Sequence, residues 1–173
     1  MLSKFRKCAS LKQVQIIVNH FYYLWFKNEK AAVDPTFICL NFFSGFLDSS
    51  FNRKNTTFMA KRKAEADSMR NAGLQQFFIE DHLYEKYKSE TEALRVPMNV
   101  LLDHIDYIVK RIGVDHVGLG SDFDGINSAP QQLNGVQDFP KITAALKKRG
   151  YSNEDIKKIL GGNVIRVFKA NLN

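Results

Sequence analysis

The sequence predicts an α/β fold in which helices join the strands of a parallel sheet. Three observations carry that expectation. Residues 36–43 (TFICLNFF) form an unbroken apolar run rich in aromatic and β-branched side chains and followed by Ser44-Gly45. A second short, glycine-bearing strand pattern, HVGLGS, runs from His116 to Ser121. Between and after these, apolar residues recur at helical spacings. An apolar run without alternation suits a strand covered on both faces, the kind found in parallel sheets, and strands that alternate with helices suit βαβ units.

The elements follow in chain order. Residues 1–35 do not match the rest of the chain. Lys12 to Phe26 suits one amphipathic helix, and Asn28-Glu29-Lys30 with Asp34-Pro35 break its continuation. The apolar stretch from Val14 to Phe26 is interrupted by Gln15, Asn19 and His20. It is too short and too polar for a membrane span, and a poor signal peptide.

After the first strand, residues 48–57 (DSSFNRKNTT) are polar and turn-rich and are expected to form a loop. From Phe58 to Arg95 the pattern turns helical, with a break at Gly73 and apolar spacings such as Leu83-Tyr84-Tyr87. That is long for a connection, and reads as a helical excursion on the fold. Pro97 suits the start of the next helix. Leu101, Ile105, Ile108 and Ile112 share one helical face, and Gly113 suits the cap that ends it. The second strand opens at His116. A turn-rich stretch from Asp124 to Asn134 follows, and then a helix from Lys141 to Arg149 stopped by Gly150. Ser152-x-x-Asp155 has the form of a capping box. The helix it starts ends at Gly161-Gly162, and Asn163 to Ala170 makes the last one.

With 173 residues the chain can bury a core of its own. Cys8 and Cys39 provide neither a disulfide framework nor a metal-binding pair. The net charge of +7 raises the question of nucleic acid. However, Lys61-Arg62-Lys63 is followed by Glu65 and Asp67, and Lys147-Lys148-Arg149 by Glu154 and Asp155. Mixed signs at that spacing suit solvated helix faces, and no nucleic-acid partner is expected.

The strongest chemical feature is Gly118-Leu119-Gly120-Ser121-Asp122-Phe123-Asp124-Gly125. Two carboxylates leave a strand's C-terminal end, where α/β folds build their sites. If strand geometry persists, Asp122 and Asp124 point to the same side. The same residues also suit an Asx-turn or a helix cap. His104-Ile105-Asp106 has the His-x-Asp form of many metal-dependent hydrolases. Placed mid-helix, however, its side chains diverge by about 200° and do not chelate one ion. His116 reads as structural, and His20 and His82 lack partners at metal spacing. There is no phosphate loop, dinucleotide fingerprint or nucleophile elbow.

Asp103 to Ile108 together with Ile112 to Gly125 resembles the last barrel repeat of the membrane (renal) dipeptidase family. The tail from Arg149-Gly150-Tyr151-Ser152 through Gly161-Gly162-Asn163-Val164-Ile165-Arg166-Val167-Phe168 is similar to that family's end. Leu40 to Asp48 resembles its seventh strand and following loop. The resemblance covers residues 36–173 and implies the C-terminal part of a (β/α)8 TIM-type barrel, incomplete in this chain. It further implies a zinc metallodipeptidase, with two zinc ions bridged by a glutamate and dipeptides as substrates. The family's proton-shuttling aspartate maps onto Asp122, and Asp124 becomes a supporting residue that orients the loop. The family's metal ligands lie upstream of the seventh strand, so none is expected here and the isolated chain is expected to be inactive. The alternative is a non-catalytic fragment that binds a complementary chain or self-associates as a homo-oligomer.

Overall fold

The computed structural model describes residues 37–171. The helix expected over 12–26 lies outside them. In chain order the described elements begin with strand β1 (Ile38–Asn41). Five helices follow: α1 (Ser44–Leu47), α2 (Ser49–Lys61), α3 (Lys63–Asn71), α4 (Gln76–Lys86) and α5 (Lys88–Leu94). Then come α6 (Met98–Ile112), a 3₁₀ turn (Val114–His116) and strand β2 (Val117–Gly120). The chain closes with α7 (Phe139–Lys148), α8 (Asn153–Lys157) and α9 (Asn163–Asn171). The described fold is therefore α/β and mostly helical, with no helix long and apolar enough to cross a membrane.

The chain divides into two compact units. The first contains the described part of Met1–Asn41 together with Leu102–Ser121 and Pro140–Asn173. Its centre is a parallel pair, with Ile38 opposite Val117 and Asn41 opposite Gly120. Leu40, Val117, Ile105, Ile142, Leu146 and Ile159 are fully buried in it. The helical face anticipated on α6 is the one that is covered, and Gly113 ends the helix at φ 96° and ψ 158°. That backbone region is essentially closed to other residues.

The end of the chain is tied to the start of β2 by its polar residues. Asn163, which is buried, donates from Nδ2 to the carbonyls of Val114 (2.7 Å) and Val117 (2.8 Å). Arg166 donates to the Asp115 carbonyl at 2.6 Å. The capping box at Ser152 and Asp155 forms in both directions.

The second unit comprises Phe42–Leu101 and Asp122–Phe139. Phe42, Phe51, Phe58, Ile79, Leu83 and Leu133 fill its core. The helical excursion occurs as expected, but it begins earlier. Residues 48–57 are not a loop, because most of them lie in α2. Asp48 caps that helix, accepting from the Ser50 N–H at 2.8 Å and from the Ser50 hydroxyl at 2.5 Å. Phe51 and Phe58, seven apart, bury one stripe. Thr56 and Thr57 return their hydroxyls to the carbonyls of Asn52 and Arg53, so the polar residues satisfy themselves on the helix surface.

Two further expectations need correction. The first strand spans only Ile38–Asn41, with Ile38 and Cys39 half-buried, because the backbone of Phe43 already turns into α1. His116 closes the 3₁₀ turn rather than opening β2.

Candidate functional site

β2 ends at Gly120, and the chain changes direction at once. Asp122 adopts φ 57°, the left-handed region that aspartate tolerates better than most residues. Its carbonyl accepts the Gly125 N–H at 2.9 Å, closing a turn over Asp122–Gly125. Strand geometry therefore does not persist, and Asp122 and Asp124 do not share a face by strand alternation.

Both aspartates are exposed, and the residue between them is not. Phe123 packs edge-on to Phe42 with ring centroids 5.7 Å apart, and lies 6.4 Å from the Phe139 ring. The turn is thus pegged to the core of the second unit by one aromatic ring, with a carboxylate on either side of the peg. Gly125 gives the Asp122 side chain its room. A Cβ placed there would lie 2.4 Å from Asp122 Oδ1.

The rest of the loop is also held. The Ser44 N–H donates to the Ser128 carbonyl at 2.7 Å, which ties the segment after β1 to the segment after β2. The Gln131 N–H donates to the Val96 carbonyl at 2.8 Å. Arg95, which no sequence pattern singles out, reaches the carbonyls of Ala129, Pro130 and Leu133. Those contacts span more than thirty positions in the chain, so no local pattern announces them. Chemically, the turn presents exposed carboxylates on a backbone held by these contacts.

The His-x-Asp motif sits within α6, as expected from its spacing. Its aspartate has a structural role. Asp106 accepts from the Arg149 guanidinium and, at 2.7 Å, from the Tyr151 hydroxyl. Arg149 also pairs with Asp103 at 2.8 Å. Burial, and then the Asp106 carboxylate, push the Tyr151 phenol well above its ordinary range.

Zinc requires several converging His, Cys or carboxylate donors. Among the described residues no group of three such side chains could hold an ion. Their donor set does not fit the zinc pair that the resemblance implies.

Comparison with known proteins gives a consistent result. A family model described as membrane dipeptidase (peptidase family M19) matches residues 33–173. Dipeptidase ataJ of Aspergillus terreus is 45% identical over 101 residues, 58% of this chain and 23% of that protein. Dipeptidase tcpJ of Claviceps purpurea is 49% identical over 69 residues, 40% of this chain and 16% of that protein. An uncharacterized dipeptidase of Schizosaccharomyces pombe is 36% identical over 92 residues, 53% and 22% of the two chains. The chain spans less than a quarter of the length of each of these three relatives.

Proposed function

The chain belongs to the membrane dipeptidase family, and on that footing we propose that it is the C-terminal part of a zinc dipeptidase barrel, spanning residues 36–173, that supplies the acid–base carboxylate for dipeptide hydrolysis. In this reading β1 and β2 are the seventh and eighth strands of the barrel. Asp122 is the catalytic residue. It takes the proton from the attacking water and returns it to the departing amine nitrogen. Asp124, across the Phe123 peg, helps to orient the turn. No step through the metal is assigned to this chain, because its described residues do not provide the ligands.

One observation carries the reading. An exposed aspartate stands just beyond the C-terminal end of a parallel strand, on a turn fixed by a packed aromatic ring. That is where barrel enzymes place their chemistry. Proton transfer by a positioned carboxylate contributes about 10²–10⁴-fold in rate.

The test compares the purified chain alone with the chain mixed with a fragment carrying the first six strands of a family barrel. Zinc content and dipeptide turnover are recorded in both. The expected result is no zinc and no turnover alone, with turnover in the mixture that Asp122→Asn abolishes. Turnover and about two zinc ions in the chain alone would show that its own residues hold the metal. Full activity of the Asp122→Asn mixture would remove Asp122 from the mechanism.

A second reading, a non-catalytic chain that associates with a complementary chain or with itself, has its own support. Among the described residues the sheet has only two strands, which leaves an outer edge on each. Ile165 and Phe168 on α9 are 55% and 60% exposed. Mass that rises with concentration in light scattering supports this reading, and a monomer at every concentration opposes it.

A further inference from the structure

Arg95 stands where the chain leaves α5, with its backbone already extended at φ −57° and ψ 138°. Its side chain is only 15% exposed. A guanidinium has five N–H groups, and here every one has an acceptor. Nε donates to the Ala129 carbonyl at 2.8 Å. Nη1 donates to Glu92 Oε2 at 2.7 Å and to Asn134 Oδ1 at 2.9 Å. Nη2 donates to the carbonyls of Pro130 at 2.6 Å and Leu133 at 3.0 Å. Four of the five acceptors belong to a single irregular segment, the one that begins at Asp122.

That segment has no ladder or helix to satisfy its main chain. Ala129, Pro130 and Leu133 are buried, and buried carbonyls need donors. Arg95 supplies three of them from one rigid plane. Phe123 pegs the near end of the segment and Arg95 grips the far end, so the stretch that leaves the Asp122 turn is held at both ends. We propose that Arg95 is the positioning residue for Asp122, holding residues 129–134 so that the turn at 122–125 has one conformation. The proposal rests on the reading of Asp122 as the proton-transfer group. A lysine cannot replace Arg95, because a single ammonium with three donors cannot reach five acceptors laid out around a fork.

The experiment uses the full chain with ¹³C-labelled aspartate carboxyls, the Asp122 resonance being assigned by its loss in Asp122→Asn. Wild type, Arg95→Lys and Arg95→Gln are compared at one pH, with Lys54→Gln on the exposed face of α2 as control. Both Arg95 variants are expected to shift or broaden the Asp122 resonance and to speed amide exchange at Gln131 and Asn134 about tenfold. The control is expected to change neither. An unmoved Asp122 resonance beside loosened Gln131 and Asn134 amides would reduce Arg95 to a structural tie. Wild-type behaviour in Arg95→Lys would overturn the requirement for the fork.

If near-UV dichroism shows either Arg95 variant to be unfolded, Asn134→Ala, which removes one of the five bonds, decides the matter. A smaller displacement of the Asp122 resonance supports the proposal, and none overturns it. In the complemented barrel, Arg95→Lys is expected to lower kcat with KM held. Absence of any dipeptide turnover would defeat the functional reading yet leave the resonance experiment able to decide the role of Arg95.

Discussion

Asp106 and Asp122 are both aspartates that the sequence marks out, and they sit in opposite kinds of surroundings. In the first unit, Asp106 is held on a helix by Arg149 and Tyr151, with both of its oxygens accepting. In the second, Asp122 stands exposed on a tight turn, folded over a glycine and supported through its neighbour Phe123. With two donors on it, Asp106 joins α6 to the residues that follow α7. Asp122 is instead exposed at its turn, and in the proposed reading it is the carboxylate that meets substrate. The His-x-Asp form, whose mid-helix placement argued against chelation, thus includes a structural aspartate.

The contrast breaks first if Asp122→Asn leaves activity intact. Asparagine has the same shape and also tolerates the left-handed backbone. The complemented barrel is therefore expected to lose about 100-fold or more in kcat, while urea unfolding of the chain changes by less than about 0.5 kcal/mol.

The converse substitution is Asp106→Ala. It removes two acceptors from Arg149 and Tyr151 and is expected to cost about 1–2 kcal/mol in urea unfolding. The amount is limited because Asp106 is partly exposed and Arg149 keeps Asp103. No change in stability would mean that the network is a surface ornament.

Gly125→Ala sharpens the comparison from the Asp122 side. The added methyl group displaces the carboxylate but meets no strained backbone, so kcat is expected to fall about threefold to tenfold with stability nearly unchanged. Equal activity in glycine and alanine forms would show that the observed placement of the carboxylate is not needed.

The smallest effect concerns Asp48, a third aspartate with a purely structural task. The Ser50 hydroxyl, and then the Ser50 backbone N–H, hold its carboxyl below the usual carboxylate range. A depressed folded value contributes stability above the unfolded value near pH ~4, and that contribution is lost as the pH falls through the folded value. Asp48→Asn should therefore flatten the dependence of the urea midpoint on pH below about 4. Parallel curves for the two proteins would assign the acid sensitivity to other groups.

What the sequence revealed was local. The α6 stripe, the stop at Gly113, the capping box at Ser152 and the two strands all follow from spacing within a few residues, and each is present. Residues 48–57 were misread because polar composition resembles a loop. The decisive facts there are the cap at Asp48 and the seven-residue interval from Phe51 to Phe58. The turn at Asp122 was legible as one of two readings, since the acids beyond β2 suited an Asx-turn as well as a shared face, and the positive φ decides for the turn. Arg95 was invisible because its partners lie far along the chain and are carbonyls, which every residue has.

The parallel pairing of β1 with β2 has a consequence for how the protein reaches its native state. Residues 42 to 116 intervene between the two strands, so their registration must wait for closure of a long loop, whereas α2 through α5 can form from neighbouring contacts. Topologies of this kind fold slowly, and the entropy of closure weighs on the barrier before the strand contacts return any enthalpy. On refolding by dilution from urea, helical circular dichroism is expected to recover in an early phase. Protection of the amides that join β1 to β2 should follow in a distinctly later one.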